Sequence, residues 1–444
     1  MTSDASLRAA HLPVLIIGAG PGGLAAAVAL KAQGVPFEVV DAGRQVGGIW
    51  DIGRAQTPMY ETAHFISSRS LSGFRDYPMP ASYPDYPSHA LIQRYITDYA
   101  KRHDLEGHVR FNTRVIEARP IASGGWAVRF EPTTDNESQA VQSEWQGDYA
   151  GLIVAAGMAW HRHMPALEGS FDGEIMHSFD YTGPSQLKGR RVLVVGAGNS
   201  GVDIASDAAR SAAAAFLSVR RGYRFVPKYI LGKPADVFAR SSPPLPRWLE
   251  KRVFAVLLDH LVVGDLTRFG LPRPDHDVLA SHPIVNTQVL HHLGHGDLIA
   301  CTDVAHCDGS KVHFVDGRSE TIDLIVMATG YRRRYPFLPA EVGNGEAEPL
   351  DLYLNVFHRE RDDLAFVGLF ETDGPSFALM GLQAELVARS WTSKGAKSAD
   401  EFARRRRTAR PDLRGGHRYL SSQRHDYYVN SRSYTRLLEL ELHS

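Results

Sequence analysis

Two glycine-rich stretches have the residue spacing that binds a nucleotide pyrophosphate. GAGPGG begins at residue 18, which we call the first turn, and GAGNSG begins at residue 196, the second turn. In the pattern G-x-G-x-x-G the glycines make a tight turn, let the backbone approach the phosphates, and let a helix pack on a strand. The residues concerned are Gly18, Gly20, Gly22 and Gly23 in the first turn and Gly196, Gly198, Asn199, Ser200 and Gly201 in the second. The sequence therefore predicts two bound dinucleotides.

The residues that follow each turn predict that the two dinucleotides differ. Asp41 ends the strand after the first turn, where a carboxylate accepts hydrogen bonds from ribose hydroxyls. Arg220 and Arg221 end the strand after the second turn, where guanidinium groups suit the 2′-phosphate of NADPH. A solvated strand end is the alternative interpretation of these arginines. Since NADPH needs an electron acceptor, we expect the other dinucleotide to be FAD.

Each turn is predicted to join a buried strand to a helix. VLII at 14–17 is a continuous apolar run, which is typical of a strand buried on both faces. Residues 22–33 are rich in alanine and leucine, and Gly34 stands where a helix commonly ends. The same order recurs at 190–221. These two units predict an α/β fold with doubly wound, Rossmann-like domains.

Composition and charge exclude several classes of protein. A chain of 444 residues is long enough for more than one domain, and a net charge of −1 argues against nucleic-acid binding. The start lacks a basic signal-peptide region, and Asp259 and His260 interrupt the apolar run 253–266, so we predict no transmembrane segment and a cytoplasmic location. Cys301 and Cys307 have neither redox nor zinc spacing, and the histidine-rich stretches lack further ligands, so we predict no metal.

Several further motifs resemble those of class B flavin-dependent monooxygenases. FDGEIMHSFDY at 171–181 is similar to their fingerprint of Phe, Gly, His and a terminal aromatic residue, and MATGY at 327–331 is similar to their ATG(Y) segment. Because Thr182 follows Tyr181, the likeness favours flavin-containing monooxygenases of the soluble bacterial type over Baeyer–Villiger enzymes. It spans about residues 13–390 and implies further cofactor-binding residues: Gly48, Ile49, Trp50, Thr329, Gly330 and Gln383.

The resemblance implies an architecture and a reaction. An FAD-binding domain at 1–165 and 325–444 would be interrupted by an NADPH-binding domain at 166–324. NADPH would reduce the flavin, and the reduced flavin would form a C4a-(hydro)peroxyflavin with O2. That species would pass one oxygen atom to a small nucleophilic nitrogen or sulfur compound. His177 is expected at the hinge between the domains, with proton transfer as the alternative. The oligomeric state stays open, with a homodimer among the options.

One position departs from the family pattern. Flavin-containing monooxygenases usually have Asn where this chain has Ile66, and the family's amide is thought to lie near the flavin. Isoleucine has no hydrogen-bond donor, so we expect a shorter-lived peroxyflavin and more H2O2, unless His64 or Ser67 compensates. His177, Ile66 and Ser67 are therefore the candidate catalytic positions. Two alternatives remain: an uncoupled NADPH oxidase or flavin reductase, and a non-catalytic NADPH/FAD redox sensor.

Overall fold

A computed structural model describes residues 12–54, 56–133, 144–241, 263–276, 280–281, 283–346, 348–392, 397–420 and 425–443. Most of the apolar run 253–266, including Asp259 and His260, lies outside the described residues. None of the described helices is long and apolar enough to cross a membrane.

The first part of the chain supplies eight strands and three helices to the described structure. The strands are β1 Val14–Ile17, β2 Phe37–Val40, β3 Val109–Arg110, β4 Thr113–Pro120, β5 Trp126–Pro132, β6 Trp145–Tyr149, β7 Gly151–Val154 and β8 His161–Arg162. The helices are α1 Pro21–Ala32, α2 Arg69–Ser72 and α3 His89–Arg102.

The central part contributes a second set of elements. Its described strands are β9 Gly169–Phe171, β10 Glu174–His177, β11 Arg191–Val195, β12 Ala214–Ser218, β13 Tyr229–Ile230, β14 Lys233–Pro234, β15 Ile299–Cys301, β16 Val304–Gly309, β17 Lys311–Phe314, β18 Ser319–Thr321 and β19 Leu324–Met327. Its helices are α4 Asn199–Ser211, α5 Ala235–Ser241 and α6 Gln288–His295.

The last part of the chain adds strands to the sheet that the first part begins. Its described strands are β20 Tyr331–Arg332, β21 Leu352–Tyr353, β22 Phe357–His358, β23 Leu364–Phe366, β24 Glu371–Thr372 and β25 Tyr428–Val429. Its helices are α7 Ser376–Thr392, α8 Lys397–Thr408 and α9 Ser431–Leu442.

Two sheets organise these elements: the five-stranded one is parallel, and the seven-stranded one is mixed, because β22 pairs antiparallel with both β21 and β23. A seven-stranded sheet runs β21-β22-β23-β7-β1-β2-β3, so it combines strands from both ends of the chain. A five-stranded sheet runs β10-β19-β11-β12-β15 and takes all its strands from the centre of the chain. In each sheet an interior strand, β1 or β11, leads into a glycine turn. This places both turns at carboxyl ends of parallel strands, where open α/β sheets bind ligands.

Apolar burial explains why these strands and helices form. All four side chains of β1 are buried, as are Leu24 and Leu30 of α1. Helix α7 packs beside α1, and its Leu382 and Leu386 are buried in the same apolar core as Leu24 and Leu30. Burying one such leucine stabilises the fold by roughly 1.5–3 kcal/mol. This packing keeps α1 behind the first turn.

The chain passes between the two sheets at a short antiparallel ribbon. Strands β8 and β20 pair there, with Tyr331 opposite Arg162 and Arg332 opposite His161. We call this pair the hinge ribbon. The predicted domain limits, after residues 165 and 324, stay predictions; the strand at the second limit, β19, continues to Met327.

Candidate functional site

The first turn is built so that only glycine fits at its key positions. Gly18 has a φ of +109°, and a Cβ there would lie 2.5 Å from the carbonyl oxygen of Ala155. A Cβ on Gly23 would lie 1.8 Å from the oxygen of Gly18. Helix α1 then begins with Gly20 as its N-cap and without a side-chain cap. Its first amide groups are therefore available to an anion such as a pyrophosphate.

Residues 48–50 lie against the first turn. Gly48 has a φ of +59°, and a Cβ there would lie 3.0 Å from the Cα of Gly20. The oxygen of Ile49 accepts a hydrogen bond from Thr57, and Trp50 is buried with its ring 5.1 Å from that of Phe65. The structure thus places Gly48 against the first turn, with Ile49 and Trp50 following it in the same short helical turn.

Asp41 holds the first turn through its carboxylate, and its predicted contact with a ribose stays a prediction. Its carboxylate accepts hydrogen bonds from the amide of Ala19 at 2.7 Å and from that of Gly43 at 2.6 Å. Arg54 forms an ion pair with it at 3.1 Å. A carboxylate has about four acceptor sites, so one remains for a ribose hydroxyl. Arg54 was not predicted, because no motif in the sequence marks it.

The second turn repeats the geometry of the first. Gly196 has a φ of +106°, and a Cβ there would lie 2.6 Å from the oxygen of Ala328. A Cβ on Gly201 would lie 2.0 Å from the oxygen of Gly196. Helix α4 begins after Gly198, again without a side-chain cap. Both turns therefore offer backbone amides to a phosphate, so the residues present fit two dinucleotides.

The first two residues of α4, Asn199 and Ser200, differ in their contacts. The Oδ1 of Asn199 accepts a hydrogen bond from the amide of Val285 at 3.0 Å, and its Nδ2 lies 3.4 Å from the oxygen of Pro283. Asn199 therefore tethers the segment before α6 to the second turn. Ser200, which is half-buried, lies beside it in the first turn of the helix.

Arg220 and Arg221 lie just after the end of β12. Arg220 is exposed, and the Arg221 guanidinium lies 5.6 Å from the centre of the Tyr223 ring. The buried Nε of Arg221 has no hydrogen-bond partner. Within the described ranges neither side chain forms an ion pair with a carboxylate. An anionic ligand such as the predicted 2′-phosphate of NADPH would satisfy this pair.

His177 joins the central sheet to the hinge. It ends β10 and is only 1% exposed. Its Nδ1 accepts a hydrogen bond from the amide of Phe179 at 3.1 Å, so its Nε2 carries the proton and donates to the oxygen of Gly330 at 3.1 Å. Burial lowers the pKa of His177, and the bond to Gly330 opposes this shift. With both ring nitrogens engaged, the geometry favours the hinge interpretation over proton transfer.

Thr329 and Gly330 make further hinge contacts. The hydroxyl of Thr329 donates to the oxygen of His163, and the amide of His163 donates to the oxygen of Gly330 at 3.0 Å. Gly330 has a φ of +89°, a conformation that favours glycine. Both residues thus sit where the chain leaves the central sheet.

Gln383 is fully buried in α7 and already has two protein partners. Its Oε1 accepts a hydrogen bond from the amide of Gly368 at 2.8 Å, and its Nε2 donates to the hydroxyl of Tyr434 at 2.7 Å. The side chain fixes α7 to the end of β23 and to α9. Its predicted contact with the flavin stays a prediction.

Ile66 and Ser67 lie in the loop before α2 and are both half-buried. The Oγ of Ser67 accepts a hydrogen bond from Ser72 at 2.8 Å. The next residue, Ser68, donates its amide to Asp236 in α5 at 2.6 Å. The loop is thus held against the central part of the chain, while His64 is exposed.

A set of side chains that the sequence did not predict joins the same loop region to α4. The Oδ2 of Asp207 accepts hydrogen bonds from Thr62 at 2.6 Å and Tyr181 at 2.9 Å. Tyr60 donates to Asp203, one helical turn earlier, at 2.9 Å. We call these five residues the carboxylate network. The i, i+4 spacing of two acidic residues on the helix after a glycine turn marks the helix side of the network, but nothing in the sequence marks the partners of these residues.

The network is buried and charged. Asp207 is 1% exposed and forms an ion pair with Arg210 at 2.5 Å. Burial raises the pKa of Asp203, and hydrogen bonds from Asn286 and Tyr60 oppose that rise. These contacts fix residues 60–62, and therefore the start of the loop that carries Ile66, to the helix of the second turn.

A cavity of about 330 Å³ opens beside the hinge ribbon. Its lining is basic and aromatic: Gln56, Trp160, His161, Arg162, Phe179, Arg332 and Arg334. Arg54, the partner of Asp41, lies 4.9 Å from the centre of the Trp160 ring. Arg54 thus connects the Trp160 wall of the cavity to Asp41, and the positive charge of the lining suits an anionic ligand.

Comparisons with known proteins identify relatives of this chain. A family model described as flavin-binding monooxygenase-like matches residues 12–403. Probable indole-3-pyruvate monooxygenase YUCCA9 of Arabidopsis thaliana is 33% identical over 333 residues, covering 72% of this chain and 75% of that protein. Human flavin-containing monooxygenase 5 is 29% identical over 441 residues, covering 93% and 79%.

Solved structures give the same fold. S-allyl-L-cysteine S-oxygenase from Allium sativum matches with a TM-score of 0.66 and 19% identity, covering 97% of this chain and 88% of that one. The match confirms the predicted α/β fold with two dinucleotide-binding domains. The family match confirms the predicted class and the predicted flavin.

Proposed function

The chain belongs to the flavin-binding monooxygenase-like family, and on that premise we propose that it is an NADPH-dependent FAD monooxygenase acting on a small nucleophilic nitrogen or sulfur compound. Its cofactors are FAD and NADPH. When bound, they supply the electrons that activate O2 for transfer of one oxygen atom to the substrate. The protein binds and orients these molecules and excludes water from the site.

One observation carries the assignment of the cofactors: two equivalent phosphate-binding turns are followed by opposite charges. The first turn is backed by Asp41, which suits the ribose of FAD, and the second is followed by Arg220 and Arg221, which suit NADPH. The amide groups at the start of α1 and α4 would hold the two pyrophosphates. Gly48, Ile49 and Trp50 would close the flavin side of the first turn.

The hinge contacts have a positioning role in this proposal. The imidazole of His177 donates to the oxygen of Gly330, and Thr329 bonds the strand that enters the hinge. These bonds fix how the two cofactor sites face each other, which decides whether hydride can pass between them. Ser67 lies next to Ile66 and presents the nearest hydroxyl in sequence to the position of the family's asparagine.

The test is a balance of reactants and products. Purified holoenzyme would be given NADPH and O2 with a tertiary amine or a thioether, and NADPH consumed, oxygenated product and H2O2 would be measured together. The proposal predicts an N-oxide or sulfoxide in a fixed ratio to NADPH. NADPH consumption that yields H2O2 alone, with every substrate tried, would contradict it.

A second function has one specific observation in its favour. Ile66 offers no donor where the family has an amide, and losing one donor to a developing anion costs on the order of 10²–10³ in rate. This would make the protein an NADPH oxidase that releases H2O2. A third, the redox sensor, predicts that NADPH fails to bleach the flavin in the absence of air.

A further inference from the structure

The cavity of about 330 Å³ beside the hinge ribbon, which we call the hinge cavity, has three guanidinium groups on its wall. Arg162 belongs to β8, Arg332 belongs to β20, and Arg334 follows β20 by two residues. The described part of the chain contributes no carboxylate to this lining. A concave surface with one sign of charge concentrates ions of the opposite sign, so the hinge cavity attracts anions.

Two of these three guanidinium groups lack an acidic partner. Arg162 forms an ion pair with Asp180, whereas Arg332 and Arg334 form none within the described ranges of the chain. His161 also lines the cavity; burial lowers its pKa, and the charge of Arg334 lowers it further. Neighbouring cations that lack a counterion repel each other, and a bound anion offsets that cost.

A neighbouring cavity of about 110 Å³ shares Arg332 and Arg334 but differs in charge. Its lining also includes the acidic residues Glu346, Glu348 and Asp426. Carboxylates repel an anion, and the described lining of the hinge cavity has none. An anion that binds these two arginines should therefore occupy the hinge cavity.

The hinge cavity also offers flat aromatic surfaces. The rings of Trp160 and Phe179 lie 6.3 Å apart between their centres and at 73° to each other. The Arg162 guanidinium lies 4.8 Å from the centre of the Phe179 ring, and that of Arg54 lies 4.9 Å from the centre of the Trp160 ring. Aromatic rings and guanidinium planes both stack on nucleobases. The lining therefore combines groups that bind a phosphate with groups that bind a base.

The two glycine turns do not form this cavity. Its described lining contains no residue of either turn, and neither Asp41, Arg220 nor Arg221. The link to the first turn is indirect, because Arg54 pairs with Asp41 at 3.1 Å and contacts Trp160 on the cavity wall. A ligand in the hinge cavity would therefore use other residues than those proposed for the two dinucleotides.

We propose that the hinge cavity binds a small nucleotide through its phosphate, at a site separate from the two glycine turns. The planar guanidinium groups of Arg332 and Arg334 would hold the phosphate, and the base would lie against Trp160 or Phe179. The strands β8 and β20 pair where the chain passes between the two sheets. A ligand that contacts both strands would therefore restrain the hinge. A free nucleotide and the AMP half of a cofactor have the same chemistry, so the experiment must distinguish them.

The test is a calorimetric titration of the holoenzyme, with FAD bound and NADP⁺ at saturation, so that both dinucleotide sites are occupied first. The probes are AMP, inorganic phosphate and adenosine. We expect one AMP to bind per chain. Phosphate should bind about 10-fold or more weakly than AMP because it has no base to stack, and adenosine should be weakened similarly because it has no charge. The titration needs no turnover, so its result does not depend on the proposed oxygenation.

Variants locate the binding. Arg332→Gln and Arg334→Gln should each raise the Kd for AMP by about 10-fold to 100-fold, as expected for hydrogen bonds to a charged group. Arg94→Gln, which removes an arginine that is 74% exposed on α3, is the matched control and should bind AMP as the wild type does. Flavin content, circular dichroism and the KM for NADPH should stay close to those of the wild type in all three variants.

Four results would overturn the inference. The first is that AMP fails to bind once NADP⁺ is saturating, which would assign its binding to the second turn. The second is that Arg332→Gln or Arg334→Gln loses FAD, which would assign the cavity to the flavin. The third is that AMP binds no more tightly than inorganic phosphate. The fourth is that AMP binds to Arg332→Gln and Arg334→Gln as tightly as to Arg94→Gln.

Discussion

The carboxylate network allows the sharpest prediction about how the two cofactor sites are held together. Asp207 is buried, and its Oδ2 receives both Thr62 and Tyr181, from segments far apart in sequence. A hydrogen bond to a charged group contributes about 1.5–3 kcal/mol. Tyr181→Phe and Thr62→Val should therefore each lower the free energy of unfolding by about that amount.

The two substitutions should also be coupled. With either one alone, Asp207 keeps a hydroxyl donor at Oδ2 and the ion pair with Arg210. With both, the buried Oδ2 loses the two hydroxyl donors at once, so the loss should exceed the sum by about 0.5–3 kcal/mol. Urea denaturation of the holoenzyme, followed by flavin fluorescence and circular dichroism, gives the four free energies of this double-mutant cycle.

Tyr229→Phe is the matched control for this cycle. Tyr229 is 50% exposed and also donates to a carboxylate, Asp85, so its loss should change stability by less than about 0.5 kcal/mol. A Tyr181→Phe variant that is no more destabilised than Tyr229→Phe would contradict this prediction. Strict additivity of Tyr181→Phe and Thr62→Val would equally refute the shared acceptor.

Three further predictions concern the cofactor sites and the hinge. Ile66→Asn should restore a donor and raise the ratio of oxygenated product to H2O2, measured per NADPH; an unchanged ratio would mean that residue 66 does not limit coupling. Arg221→Ser should raise the KM for NADPH by about 10-fold or more and leave that for NADH nearly unchanged, because only NADPH carries the 2′-phosphate; equal changes would contradict the assignment. Burial lowers the folded-state pKa of His177, so its stabilising effect is present above its unfolded pKa of about 6.5 and is lost as pH falls through the folded value. The Tm of the wild type should therefore fall more steeply than that of His177→Asn on acidification, and parallel curves would contradict this.

The glycine turns could be predicted from the sequence because their constraints are local. Gly18 and Gly196 have a positive φ. A Cβ on Gly23 or Gly201 would clash with the carbonyl oxygen of the glycine five residues earlier. Spacing along the chain is enough to specify such contacts.

Contacts between distant segments could not be predicted in the same way. Thr62 and Asp207 meet across 145 residues, and Tyr60 and Asp203 across 143, so no spacing rule links them. Gln383 shows the same limit, since its partners Gly368 and Tyr434 follow from how α7 packs. The sequence identified Gln383 as a candidate residue but not the two hydrogen-bond partners of its side-chain amide.

The most direct test of the account is the fate of oxygen in one complete turnover. The holoenzyme would first be mixed with NADPH without air, and then with isotopically labelled O2 and a thioether. We expect NADPH to bleach the flavin, and the sulfoxide to carry one labelled oxygen atom for each NADPH consumed in product formation. A flavin that stays oxidised, or labelled oxygen recovered only as H2O2, would contradict it.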